Sequence, residues 1–292
     1  MNRFIKSAFH RYLSSRRFRP IVQKALAPFG RDLKPDKWIF IVGCYNSGTT
    51  LLAKILCEHP SIGGLPDEGI AFTDVLPYPE QFGWTRMWYR CIDKVRLHPN
   101  QLSEKMVLRI KKQWSFWYPK GKEALLEKSV VNTVRMPFLQ AHFQPAYFIA
   151  IVRNGYAVAE GIRRRGKPGR WKNPEYKDRY PIELCAMQWQ ASDDIIRQDQ
   201  HLLTRFKQIY YEDLVERPSV VLADLFQFVG LEPQSVTIMN KRWKIQERNE
   251  GIRNMNEQSF RALSKHDIEV IEHIAKKGLE RHGYHRPERH AQ

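Results

Sequence analysis

The chain has 292 residues, 42% of them hydrophobic and 12% aromatic, which is enough for a sizeable packed core and excludes a disordered polymer. Its formal net charge of +17 favours anionic ligands, an acidic polymer or an anionic membrane surface as partners. No apolar run approaches the roughly 20 residues needed to span a bilayer, and Lys6, His10 and Arg11 interrupt the N-terminal apolar pairs, so a secretory leader is not expected.

Residues 1–36 are a basic N-terminal extension. Arg3, Lys6, Arg11, Arg16, Arg17, Arg19, Lys24 and Arg31 all precede the first acid, Asp32. With Phe4, Ile5, Phe9, Tyr12 and Leu13 interleaved, the stretch reads either as an amphipathic surface-binding helix or as an extension packed on the domain that follows. Residues 37–284 are that domain, and 285–292 a charged tail. His282, His285 and His290 read as part of a solvated tail rather than as metal ligands.

The domain opens on WIFIVGCYNSGTTLLAKIL, residues 38–56. An apolar strand, Trp38–Val42, leads into a glycine loop, Gly43–Thr50, and then into a helix beginning at Leu51. Gly43 and Gly48 have the spacing of a phosphate-binding loop, but Thr49 stands where an NTPase carries its lysine. The cradle is kept and the residue that handles a β/γ-phosphate is missing. Ser47, Gly48, Thr49 and Thr50 therefore read as an anion site at a helix N-terminus, the alternative being an ordinary capped strand-to-helix turn.

Residues 60–83, rich in Gly, Pro and acids, read as loop. Residues 80–120 form an aromatic helical insert, with a helix over Ser103–Lys112. Trp84, Trp88, Trp114 and Trp117 are either core or a stacking wall for an acceptor ring. A short strand falls within Ala124–Val131 and a short helix at Pro137–Phe143. Tyr147–Val152 is a second buried strand, followed by Arg153-Asn154-Gly155 and a helix through about Arg165. Residues 166–180 are a basic loop, in which Lys167, Arg170, Trp171 and Lys172 either gate an anionic acceptor or are solvated. Helices at Ile182–Arg197, Ser219–Val229 and Lys265–Leu279 and a strand at Lys207–Tyr211 follow, with 231–262 irregular. Alternating strands and helices specify an α/β fold, a single domain with a central parallel sheet flanked by helices. Cys44, Cys57, Cys91 and Cys185 have no metal or redox spacing and read as free thiols.

Arg153 directly after an apolar strand, with Arg163, Arg164 and Arg165 further along, reads as a second phosphate site, since arginine is the best fork for that group, the alternative being a solvated basic helix face. Two separated phosphate sites imply a ligand with two separated phosphates. The segments GCYNSGTTLLAKIL, YFIAIVRNGYAVAEGIRRR and QIYYEDLVERPSVVLADLFQFVGL, in this order, resemble the sulfotransferases that use 3′-phosphoadenosine-5′-phosphosulfate. The resemblance covers roughly residues 38–280, with gaps at 80–120 and 166–180.

That resemblance implies a P-loop-containing nucleotide-binding domain. It puts the 5′-phosphosulfate loop at Tyr45, Asn46, Ser47, Gly48, Thr49 and Thr50, and the 3′-phosphate site at Arg153 onward. It makes Tyr211–Leu214 a structural strand end. It also implies a catalytic lysine at Lys128, in Glu-Lys-Ser, and a catalytic base at Glu68, with Asp67 as runner-up. Two positions depart from the family. Asn46 stands where a Lys or Arg is usual, and Gly161 where a Ser is usual; Arg163 or Arg164 is expected to replace the donor lost at Gly161, and Lys128 the charge lost at Asn46. Asn254 and Asn256 fall where the late chain of the family folds back over the donor.

The expected activity is transfer of a sulfuryl group to a hydroxyl, or less readily an amine, with no metal. An envelope carbohydrate or glycolipid is the favoured acceptor. The expected setting is cytoplasmic, with peripheral contact at the inner membrane surface through the N-terminus left open; nucleic acid is not the expected partner. The alternatives are a non-catalytic binder of polyanions or nucleotides on a degenerate fold and, further off, an ATP-dependent phosphotransferase.

Overall fold

The structure is a computed structural model and describes residues 19–233, 243–245, 248–250 and 252–287. Five strands form one parallel sheet: β1 (Lys37–Gly43), β2 (Ile62–Gly64), β3 (Ala124–Glu127), β4 (Ala146–Val152) and β5 (Phe206–Tyr210), in the spatial order β2-β3-β1-β4-β5. The expected central parallel sheet flanked by helices is thus present.

Alternation along β1 explains why both faces are covered. Trp38, Phe40 and Val42 enter one apolar core, with helices Glu104–Trp114, Gly155–Arg165, Ile182–Asp199 and Lys265–Arg281. Ile39 and Ile41 enter a second core, with helices Thr49–Leu56 and Pro218–Val229. Every one of these β1 side chains is at most 1% exposed, as expected of a parallel strand buried on both faces.

The chain runs from β1 to β2 and β3 on one side, then crosses to β4 on the other. The order therefore reverses at β1, and ligands of such sheets bind at the carboxyl ends of the strands beside that reversal. Gly43 is in register with Ile151, so the loop after β1 and Arg153 after β4 leave the sheet side by side.

Several expectations need correction. The stretch 60–83 is not all loop, because Ile62–Gly64 adds a strand beside β3. Its two glycines hide the pattern, and both are needed for close packing: a Cβ at Gly63 would lie 2.8 Å from Pro119 Cγ, and one at Gly64 2.5 Å from Cys57 Sγ. The stretch 231–262 is not wholly irregular either. It holds an antiparallel pair, β6 (Trp243–Ile245) and β7 (Arg248–Glu250), and a helix, Asn256–Phe260. His282 is not in a solvated tail. Its ring is buried, with Nε2 2.7 Å from Asp193 Oδ1, and the preceding helix runs on to Arg281.

The tryptophans of 80–120 do not form a stacking wall. Trp88 and Trp114 are fully buried, and Trp114 Nε1 donates to the Gly69 carbonyl at 3.0 Å. Trp84 is 6% exposed and Trp117 packs on Phe72, their rings 4.8 Å apart. The apolar spacing that reads as a possible ligand face is a core face.

The amphipathic reading of the N-terminus falls mainly on residues 3–18, outside the described residues. Beyond them, helix Arg19–Leu26 and the turn after it pack on the domain. Gln23 donates to the Ala71 carbonyl at 2.7 Å, Gln113 donates to the Gln23 carbonyl at 2.9 Å, and the Arg31 amide donates to Ser115 Oγ at 2.9 Å. Among the described residues no helix is long and apolar enough to cross a membrane.

Candidate functional site

The loop after β1 is held open by its backbone. Gly43 and Gly48 have φ of 146° and 95°, and Asn46 has φ of 63°. Thr133 Oγ1 fixes the base of the loop, accepting from the Gly43 amide at 3.0 Å and donating to the Gly43 carbonyl at 2.9 Å. A Cβ at Gly48 would lie 2.7 Å from Tyr211 Cδ2, so glycine is demanded there by space as well as by φ. Gly48 caps helix Thr49–Leu56, whose first amides face a cleft of about 660 Å³.

Tyr45, Asn46, Gly48, Thr49, Thr50, Lys128, Arg153, Gly161, Arg164, Glu68 and Asp67 all line that one cleft. Sequence positions as far apart as Tyr45 and Arg164 are therefore one site. Its charged lining is Lys54, Arg86, Lys128, Arg153, Arg164 and Arg165 against Asp67 and Glu68, an excess of positive charge suited to an anion. Ser47 Oγ and Asn46 Nδ2 are buried without a hydrogen-bond partner. Ser47 is 1% exposed and is not among the residues that line the cleft, whereas Asn46 is, and an unpaired buried donor next to a helix N-terminus in a cationic cleft fits a phosphate or sulfate group.

Arg153 is a fixed part of the cleft. Its Nε donates to Asn256 Oδ1 at 2.8 Å, its Nη1 donates to the Asn46 carbonyl at 2.7 Å, and its guanidinium lies 4.3 Å above the ring of Tyr211. Burial lowers its pKa, and Tyr211 and Glu212 oppose that shift. Glu212 Oε1 accepts from Asn256 Nδ2 at 2.7 Å and from the Asn154 amide at 3.1 Å. Tyr211 Oη donates to the Arg253 carbonyl at 3.0 Å and accepts from the Met255 amide at 3.2 Å. Tyr211-Glu212 is thus more than a strand end: it opens a helix and ties β4, the glycine loop and the 253–256 turn together. Asn254 Oδ1 caps that turn by accepting from the Asn256 amide at 2.9 Å.

Arg163 is not in the cleft. Its guanidinium makes a two-point ion pair with Asp267, at 2.6 and 3.1 Å, which fastens helix Gly155–Arg165 to the last helix. The helical period explains the split: Arg164 and Arg165 face the cleft and Arg163 faces the protein. Arg164 also donates to Glu160 Oε1 at 2.8 Å.

Lys128 follows β3 and donates to Glu68 Oε1 at 2.9 Å. Beneath them Glu127 is fully buried. It accepts from the Gly69 amide at 2.7 Å and from Ser129 and Asn132, so it anchors the 67–70 turn; burial raises its pKa. The pair Glu68–Lys128 therefore rests on a rigid base.

Arg86 is the residue that sequence patterns missed. It lies in the aromatic insert, has φ of 57°, and its Nη1 is 3.4 Å from Asn46 Oδ1. A cation thus stands beside the position where the loop lacks one, while Lys128 is committed to Glu68. Arg86 belongs to no motif, and only the fold brings it to the loop. Arg86, Tyr45, Glu68 and Arg165 also line a second, adjoining cavity of about 320 Å³, with Glu80, Thr85, Lys167, Arg170 and Trp171.

Comparison with known proteins agrees with this geometry. The sequence profile of the sulfotransferase family matches residues 38–235. Nodulation protein NoeE of Sinorhizobium fredii (strain NBRC 101917 / NGR234) is 24% identical over 236 residues, covering 70% of this chain. The match spans 53% of NoeE, about half its length. Among solved structures, the sulfotransferase domain from the curacin biosynthetic pathway superposes with a TM-score of 0.57 at 18% identity, covering 88% of this chain and 100% of that one. Sulfotransferase STF1 from Mycobacterium tuberculosis H37Rv gives a TM-score of 0.52 at 14% identity, covering 87% and 81%. The two structures share the fold.

Proposed function

Since the chain belongs to the sulfotransferase family, we propose that it moves a sulfuryl group from 3′-phosphoadenosine-5′-phosphosulfate to an acceptor hydroxyl. The observation that carries this reading is the pairing of two anion sites in one cleft: the glycine loop with its unpaired Asn46 Nδ2, and Arg153 beside Gly161 and Arg164. The amides of Gly48, Thr49 and Thr50 and the threonine hydroxyls hold the 5′-phosphate end. Arg153, Gly161 and Arg164 serve the 3′-phosphate, and Met255 and Ser259 close the same cleft.

When bound, the donor supplies an activated sulfuryl group. Glu68 takes the proton of the acceptor hydroxyl as that oxygen bonds to sulfur. Lys128 and Arg86 hold the negative charge that spreads over the transferring group and the departing phosphate oxygen. Arg86 takes the part that the loop cation has elsewhere in the family. Asp67 is a positioning residue, its Oδ1 accepting from the Glu68 amide at 2.8 Å.

Thermal-shift and calorimetric titrations with adenosine 3′,5′-bisphosphate, ATP and GTP test the reading, followed by transfer of label from the sulfate donor to fractionated glycans, lipids and small hydroxylated molecules. Saturation at a hundredfold excess over Kd stabilises by about 2.7 kcal/mol. Absence of any response to the bisphosphate overturns the proposal. A response to ATP with magnesium-dependent transfer indicates a phosphotransferase, and nucleotide binding without transfer to any fraction indicates a binder.

A further inference from the structure

Beyond Tyr45, Glu68 and Arg165, the smaller cavity is lined by two segments that the motifs do not touch. One is 79–91. The other is the loop 166–181, which reads from sequence as solvated or gating. In the structure this loop is fastened to 79–91. Asn173 Nδ2 donates to the Gly83 carbonyl at 2.9 Å, and Asn173 Oδ1 accepts from the amides of Glu175 and Tyr176. Tyr180 stacks on Trp84 at 6.2 Å, Tyr176 meets the same ring edge-on at 6.3 Å, and Arg90 pairs with Glu175 at 2.6 Å. A Cβ at Gly83, whose φ is 81°, would lie 3.0 Å from Asn173 Cα. The aromatic insert therefore serves as the footing of the basic loop, and the loop holds a defined shape.

That shape sets Lys167, Arg170 and the half-buried Trp171 along one side of the cavity. Glu68, Glu80, Thr85 and Tyr45 supply acceptors and hydroxyls in the same cavity, and Arg86 and Arg165 join it to the donor cleft. Cations outnumber carboxylates, with Arg86, Arg165, Lys167 and Arg170 against Glu68 and Glu80. The exposed cations, Lys167 and Arg170, lie on the loop, while Glu68 is tied to Lys128. An aromatic face beside carboxylates that accept from hydroxyls suits a sugar ring, and exposed cations on the loop suit a negative substituent on it.

We propose that this cavity is the acceptor subsite and takes a sugar unit carrying an anionic substituent, with a hydroxyl directed to Glu68 and the anion held by Lys167 and Arg170. The proposal rests on the sulfotransferase reading above and adds the class of acceptor.

Binding of 4-nitrophenyl β-glucuronide and of the matching neutral glucoside is measured by calorimetry, with and without saturating adenosine 3′,5′-bisphosphate. The glucuronide is expected to bind about tenfold more tightly or better, given a charge-assisted contact on a partly exposed surface. Lys167→Ala/Arg170→Ala is expected to abolish that preference while leaving affinity for the bisphosphate unchanged. Trp171→Ala is expected to weaken both glycosides alike. Equal affinity for the two probes, no binding of either, or a preference that survives the double substitution overturns the proposal. Failure of the bisphosphate to bind overturns the donor assignment instead, and the probe preference measured without nucleotide still decides the subsite.

Discussion

A Cβ placed on Gly161 would lie 3.1 Å from Cβ of Asn46 and 3.2 Å from its Cγ. The two positions that read from sequence as departures from the family pattern are therefore packed against each other. Read along the sequence, Asn46 and Gly161 look like independent losses, one of charge and one of a hydroxyl. In the fold, the helix after β4 presses on the loop after β1 at that point, and a side chain at 161 competes for the space that Asn46 fills.

Coupling between the two follows. Gly161→Ser should weaken adenosine 3′,5′-bisphosphate binding by about tenfold, because overpacking moves the loop by a few tenths of an ångström. Asn46→Gly removes the obstructing side chain at a position whose φ of 63° suits glycine. Gly161→Ser should then cost measurably less in an Asn46→Gly background, with a coupling above about 0.5 kcal/mol. Additive effects in a calorimetric double-mutant cycle would show that the contact carries no energy.

Arg86 is expected to replace the missing loop cation. Arg86→Ala should lower kcat by about 10²–10³-fold, the effect of removing one group that stabilises developing charge. Arg86→Lys should recover part of the loss. Bisphosphate affinity should fall far less than kcat, since the charge matters most as the sulfuryl group moves. A variant whose KM for donor rises while kcat holds would reassign Arg86 to ground-state binding.

How legible the site was differs residue by residue. The loop Tyr45–Thr50 and Arg153 follow apolar strands, and a parallel sheet must deliver such ends to one edge, so their meeting was readable. Three adjacent arginines look alike in sequence, so Arg163 reads as a phosphate ligand with Arg164, whereas a helix turns each by about 100° and sends Arg163 to Asp267. Arg86 is not readable as a site residue, and the basic loop reads only as one of two alternatives, a gate for an anionic acceptor or a solvated loop. The loop is set beside Arg86, in the cavity adjoining the cleft, by Trp84–Tyr180 and Asn173–Gly83 contacts between segments 90 or more residues apart, which leave no periodic trace. The buried tryptophans fell in with this, because an aromatic that builds a footing and one that stacks on a ligand have the same local pattern.

Burial pushes the Glu80 carboxyl from its ordinary 4.5 up to about 6, with the charge of Glu68 adding to the shift and Thr85 and Arg86 opposing it. Below pH 4.5 the group is protonated in both folded and unfolded chains, and its stabilising preference for the proton is fully present. As pH rises through 6 the folded protein loses that proton too, and about 2 kcal/mol of stability goes with it. Glu80→Gln removes this titration. Urea unfolding at pH 4 and pH 7 should show the variant gaining on the native chain by up to about 2 kcal/mol across that interval. Parallel pH profiles for the two proteins would mean that Glu80 is solvated in solution.

The pair Glu68–Lys128 makes the sharpest kinetic prediction. Their side chains are 26% and 13% exposed, so the pair is only partly buried, and losing either partner should cost about 1 kcal/mol of stability or less. The rate should respond far more. Glu68→Gln keeps the shape and removes the base, and kcat should fall by about 10²–10⁴-fold with bisphosphate affinity unchanged. Lys128→Ala removes a charge from the transferring group and also frees the carboxylate that it holds at 2.9 Å. The double variant should therefore lose much less than the product of the two single losses, because the second substitution removes a group already out of position. Single-turnover transfer with both single variants and the double variant measures this directly. Two single variants that transfer at the native rate would remove both residues from the chemistry, whereas strictly multiplicative losses would leave each in place but acting without the other.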